Sequence, residues 1–176
     1  MFFQRFDTWL IDRHYQRWTD WVTEKIGTSS YTLAALCGFV YLSTSIGLEV
    51  LYGFMGWLAQ LVKALHLLVT LYLARKAYRF AKNPVPPTAR TASPLRQFMP
   101  WGMARIMYLP FAIVVTVLML TVGIVSGLQW LLHPVPMFMI MSNWGIALLY
   151  GFGGCTPKPP KPKEVYVPAG ALEGAS

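Results

Sequence analysis

Residues 106–157, IMYLPFAIVVTVLMLTVGIVSGLQWLLHPVPMFMIMSNWGIALLYGFGGCTP, run without a single Asp, Glu, Lys or Arg. A soluble domain carries about a quarter of its residues as charges and has no place for such a run. The rest of the 176-residue chain agrees, with 55% apolar and 12% charged residues and a mean hydropathy of +0.44. Residues 26–74 hold only Glu49 and Lys63 as ionised side chains. An aromatic content of 15% excludes disorder, and two cysteines, Cys37 and Cys155, exclude a disulfide scaffold. The chain reads as an all-α integral membrane protein.

Four apolar segments are long enough to be considered as spans. Tyr31 to Gly53 and Trp57 to Tyr78 form a first hairpin within 29–82, and Pro110 to Leu132 and Met137 to Gly153 a second within 106–154. A helix rises about 1.5 Å per residue against a hydrocarbon core of about 30 Å, so the 137–153 segment is at the lower limit. Pro110 suits the first turn of the third helix. Between the hairpins, 83–105 is rich in proline and small polar residues and reads as an irregular connection; after the second, 155–176 alternates Pro and Lys and reads as an extended tail that docks on a partner.

Fourteen of the fifteen basic residues flank these spans, Lys63 being the exception. Arg5, Arg13, Arg17 and Lys25 precede the first span, seven lie between Arg75 and Arg105, and Lys158, Lys161 and Lys163 follow the last. By the positive-inside rule both termini and the 83–105 connection are cytoplasmic, with a bacterial inner membrane as the expected location. The net charge of +8 then faces anionic headgroups or an acidic partner rather than nucleic acid. Residues 1–28 lack a signal-peptide pattern, because Asp7 and Asp12 interrupt them. At 100° per residue, Leu10, Ile11, His14, Tyr15, Trp18, Trp21, Val22 and Ile26 share one arc, and Asp12, Arg13, Gln16, Arg17, Thr19, Asp20, Thr23 and Glu24 the other. This is an amphipathic interfacial helix, with Trp9, Trp18 and Trp21 as its membrane or partner contacts.

Glu49 and Lys63 each lie seven residues from Gly56, so a hairpin turning there matches them in depth. A charge at a span centre costs about 2.5–3.5 kcal/mol on insertion scales, which predicts an ion pair between them. Cys37, Tyr41, Ser45 and Glu49 form a polar stripe on the first span, and Gln60, Lys63, His66 and Thr70 another on the second. Such stripes are helix glue, or in an oligomer the lining of a transporter, channel or holin-like pore. His66, deep in apolar surroundings, is the one candidate ligand for a haem or pigment, and a bound lipid or pigment is the cofactor class left open. Gly123-Ile-Val-Ser-Gly127 predicts a close helix contact. Cys155 reads as a juxtamembrane thiol open to acylation.

No P-loop, GxGxxG, HExxH, CxxC or catalytic triad occurs. The chain therefore reads as a non-catalytic membrane subunit that assembles or stabilises a larger photosynthetic, respiratory or secretory complex, its partners being other membrane subunits and the bilayer. The oligomeric pore and the pigment- or haem-binding subunit are the alternatives.

Overall fold

A computed structural model describes residues 2–52, 57–83 and 102–155. Residues 53–56, the bulk of the 83–105 segment and all but the first residue of the 155–176 segment lie outside them. The described residues are almost all helical, with no strand among them. Helices α1 (Phe2–Leu10) and α2 (Gln16–Ile26) are joined by a π-helical turn, Ile11–Tyr15. Four long helices follow: α3 (Ser30–Tyr52), α4 (Trp57–Lys82), α5 (Gly102–Ser126) and α6 (Pro134–Gly154). Three helices are long and apolar enough to cross a membrane, over Ser30–Leu51, Met107–Ser126 and Pro134–Gly154.

The boundaries follow local chemistry. Gly27 closes α2 in the left-handed region at φ 72°, where its lack of a Cβ removes the steric penalty. Ser29 opens α3 by accepting the Thr32 N–H at 3.1 Å. The fourth apolar segment gains length at its start: His133 is extended, Pro134 takes the first turn, and α6 has 21 residues, or about 31 Å. The third departs from expectation at both ends. Its helix begins at Gly102, inside the expected irregular connection, so Pro110 falls in the helix interior rather than the first turn. It stops at Ser126 because Gly127 turns to φ 96°, and Leu128–Leu132 form a 3-10 turn instead of helix.

Helix α3 lies at the centre, packed on both α6 and α4, while α5 packs on α6. Small residues set the closeness of these contacts. A Cβ added at Gly145 would lie 2.9 Å from the Tyr41 backbone N and 3.0 Å from the Cys37 O, so α3 and α6 meet backbone to backbone there. On the other side, a Cβ at Gly38 would lie 2.7 Å from that of Ala74 on α4. Tyr31 meets Phe80 at 5.7 Å, which with Gly38 and Ala74 fixes an antiparallel α3–α4 register.

The N-terminal helix lies against this bundle. Ile11 and Thr19 are buried, Trp18 stacks on Phe152 at 5.2 Å, and Tyr15 covers Gly151. Thr19 belongs to the polar arc if every residue advances 100°. The π turn alters that phase: one wide i→i+5 turn takes up an extra residue, and each later side chain lags by roughly 100°. Thr19 is thereby brought onto the Ile11 side.

Candidate functional site

The α3–α4 register brings Glu49 and Lys63 together, and the Lys63 ammonium donates to Glu49 Oε1. Gln60 Nε2 donates to Oε2 of the same carboxylate at 3.1 Å. Both carboxylate oxygens are thus engaged, and the pair remains partly open, with side chains 22% and 33% exposed.

One to two turns further along α3 and α4, Tyr41 and His66 meet. The Tyr41 hydroxyl lies 2.8 Å from His66 Nδ1, and the Tyr108 hydroxyl, on α5, lies 3.2 Å from Nε2. Tyr108 stacks in turn on Tyr150 of α6 at 5.3 Å. A neutral imidazole carries one N–H, so one phenol donates to the bare ring nitrogen and the other accepts from the ring N–H. With both nitrogens engaged, a haem or pigment metal could reach His66 only by displacing a phenol. Among the described residues, no three His, Cys, Asp or Glu side chains cluster as a metal site.

Helix α6 supplies the remaining polar groups. Ser142 and Ser45 are hydrogen-bonded at 2.9 Å, and Asn143 Nδ2 donates to the Met139 carbonyl at 2.7 Å. Trp144 Nε1 donates to Thr116 Oγ1 at 2.9 Å, tying α6 to α5. Ser45, Ser142 and Asn143 border a cleft of about 850 Å³ lined by all four long helices, with Tyr41, Lys63, His66, Tyr108 and Asn143 on its polar side and Leu48, Phe111 and Ile146 among its apolar walls. Helices α4 and α5 flank it without extended contact, and Val62 and Phe111 on those two helices are largely exposed. The cleft opens laterally between them.

Several other residues singled out from the sequence take different surroundings. Gly123 admits Leu131 of the following 3-10 turn, whose Cγ would lie 2.5 Å from an added Cβ, while Gly127 bends the chain and has nothing close to it. Within the chain the pair makes a helix stop with a folded-back leucine. Trp9, Trp18 and Trp21 are 46%, 43% and 60% exposed, Trp18 using one ring face internally. Cys155 is fully buried; it accepts from Thr19 Oγ1 and donates to the Gly151 carbonyl, both at 3.3 Å. That burial removes it from reach of an acylating enzyme.

Tyr108, Ser142, Asn143 and Gly145 were not apparent from the sequence as parts of one site. Ser142 and Gly145, three residues apart, carry a small-residue signal on α6; Tyr108 carries none, because nothing local says that α5 will lean toward α4. Comparison with known proteins finds no matching family model, no matching curated protein and no matching solved structure.

Proposed function

We propose that this chain is a non-catalytic integral membrane subunit that helps assemble or stabilise a larger membrane complex. It crosses a bacterial inner membrane four times, with both termini cytoplasmic. The fourth crossing is α4, whose 26 residues extend about 39 Å and run antiparallel to α3. Its basic end, Arg75 to Lys82, would share a face with the Arg and Lys residues of the N-terminal helix.

The observation that carries the subunit reading is the double use of the N-terminal helix. Ile11, Tyr15, Thr19 and one face of Trp18 hold it to the bundle, so it is positioned rather than free. A second surface with Trp9, Trp21 and Ile26 faces outward beside charges of both signs. Indole rings with mixed charge suit a protein groove, where aromatic side chains supply most of the affinity.

Purification from native membranes in mild detergent tests this. A large assembly of fixed composition is expected, and the Trp9→Ala/Trp21→Ala variant should release the chain from it while the chain remains folded. A lone monomer in native membranes, shown by cross-linking before extraction, would overturn the reading. Reporter fusions at the two termini test the orientation, and an external signal from either contradicts it.

A further inference from the structure

Tyr41, His66 and Tyr108 hold three exchangeable protons when the imidazole is neutral, two phenolic and one on the ring. Their two mutual contacts use only two of them. One phenolic O–H is left over, and with the ring proton on Nε2 it is that of Tyr108. It has no acceptor among the described residues, and Tyr108 lines the cleft. Lys63 lines the same cleft and uses one of its three N–H groups on Glu49. The cleft thus presents these donors beside Asn143, with Leu48, Val62, Phe111 and Ile146 as its apolar walls.

The occupant is constrained by charge, size and access. Glu49 already balances Lys63, so the cleft has no net charge with which to hold a phosphate or carboxylate, and an anion at this depth would be expensive. A volume of about 850 Å³ is within the usual range for organic ligands, roughly 300–1,000 Å³. With α4 crossing the bilayer as proposed above, the opening between α4 and α5 faces hydrocarbon, and molecules dissolved in the membrane have access to it. The Tyr108 and Phe111 rings offer flat walls.

We propose that this cleft binds one molecule of an uncharged, membrane-dissolved lipophile whose flat head carries carbonyl acceptors, the chemistry of an isoprenoid quinone. One carbonyl accepts the Tyr108 O–H and the Lys63 ammonium is available to another, while the tail leaves between α4 and α5. The proposal concerns binding alone; it rests on α4 crossing the membrane as proposed above, but not on the presence of partner subunits, since a chain without partners would still bind.

The test uses the full chain in phosphatidylcholine nanodiscs, titrated with a decyl-substituted benzoquinone. Saturable binding of one molecule per chain is expected, and Tyr108→Phe, which keeps the ring stacked on Tyr150, should weaken it roughly three- to tenfold, the value of one hydrogen bond. Decylbenzene, which has the tail and ring without the carbonyls, should compete poorly. Absence of saturable binding, equal competition by decylbenzene, or unchanged affinity in a folded Tyr108→Phe protein would each overturn the proposal. Should Tyr108→Phe not fold, Val62→Phe on the rim replaces it: narrowing the mouth should weaken binding at least about threefold, and unchanged affinity overturns the proposal.

Discussion

The His66 and Tyr108 rings lie nearly parallel, 5° apart with centroids at 6.2 Å, and share a hydrogen bond although 42 residues separate them. This contact joins the α3–α4 hairpin to α5, two elements that otherwise touch little. His66→Leu would strand two phenols at once, and an unsatisfied buried polar group costs about 1–3 kcal/mol. Tyr108→Phe removes one partner of the ring, leaves the Tyr41 contact in place and should cost less. Thermal unfolding in detergent should therefore rank wild type above Tyr108→Phe, and Tyr108→Phe above His66→Leu.

The Glu49–Lys63 pair predicts non-additivity. Lys63→Met leaves a carboxylate facing apolar surroundings with only Gln60 as donor, and Glu49→Gln leaves an ammonium there. Either single variant should lower the melting temperature, and the Glu49→Gln/Lys63→Met double variant should recover much of the loss, because removing both charges removes the unpaired one. A double variant as unstable as the sum of the singles would mean that the pair contributes no coupling.

Gly145 and Gly123 are both tight, yet their neighbours differ. An added methyl at Gly145 meets the backbone of α3, which can yield only if the two helices separate, whereas at Gly123 it meets the Leu131 side chain. Gly145→Ala should destabilise by roughly 1–3 kcal/mol, and Gly123→Ala by clearly less as Leu131 changes rotamer. Denaturation curves of the two variants under one detergent condition check the order.

Gly127 tests the helix stop. At φ 96° and ψ 140° a side chain is strained by about 1–3 kcal/mol, although space is open around it. Gly127→Ala should lower stability through the backbone alone, while Ser126→Ala, one residue earlier in regular helix, should be near neutral.

Cys155 reports on the N-terminal helix. Its thiol lies under Thr19, so labelling by a water-soluble maleimide should be slow in the folded protein. Trp18→Ala/Tyr15→Ala removes the stack on Phe152 and the cover over Gly151, and should raise the labelling rate by an order of magnitude or so, in proportion to the open population. Equal rates would show that the helix does not protect this thiol.

The ion pair, the polar stripes on α3 and α4, and the apolar character of the long helices could be read from residue spacing. Each depends on chain-local quantities: the period of the helix, the length of an apolar run, and equal distances from Gly56 in an antiparallel hairpin. The N-terminal helix was legible only in part, because the π turn changes the phase of everything after Tyr15 and carries Thr19 inward. The Gly123–Gly127 motif signalled close approach without naming what approaches, and within the chain it is Leu131 at Gly123.

The sequence by itself determined a membrane protein built from helices, with its few embedded charges paired, because hydrocarbon penalises free backbone polar groups and isolated charges wherever they occur. Only the tertiary structure decided that Tyr108 closes on His66, that Ser142 meets Ser45, and that a lateral cleft lies between α4 and α5. These depend on which helix faces bring backbones closest, through Gly145 against Tyr41 and Gly38 against Ala74, and packing of that kind is a property of pairs of surfaces that no single segment carries.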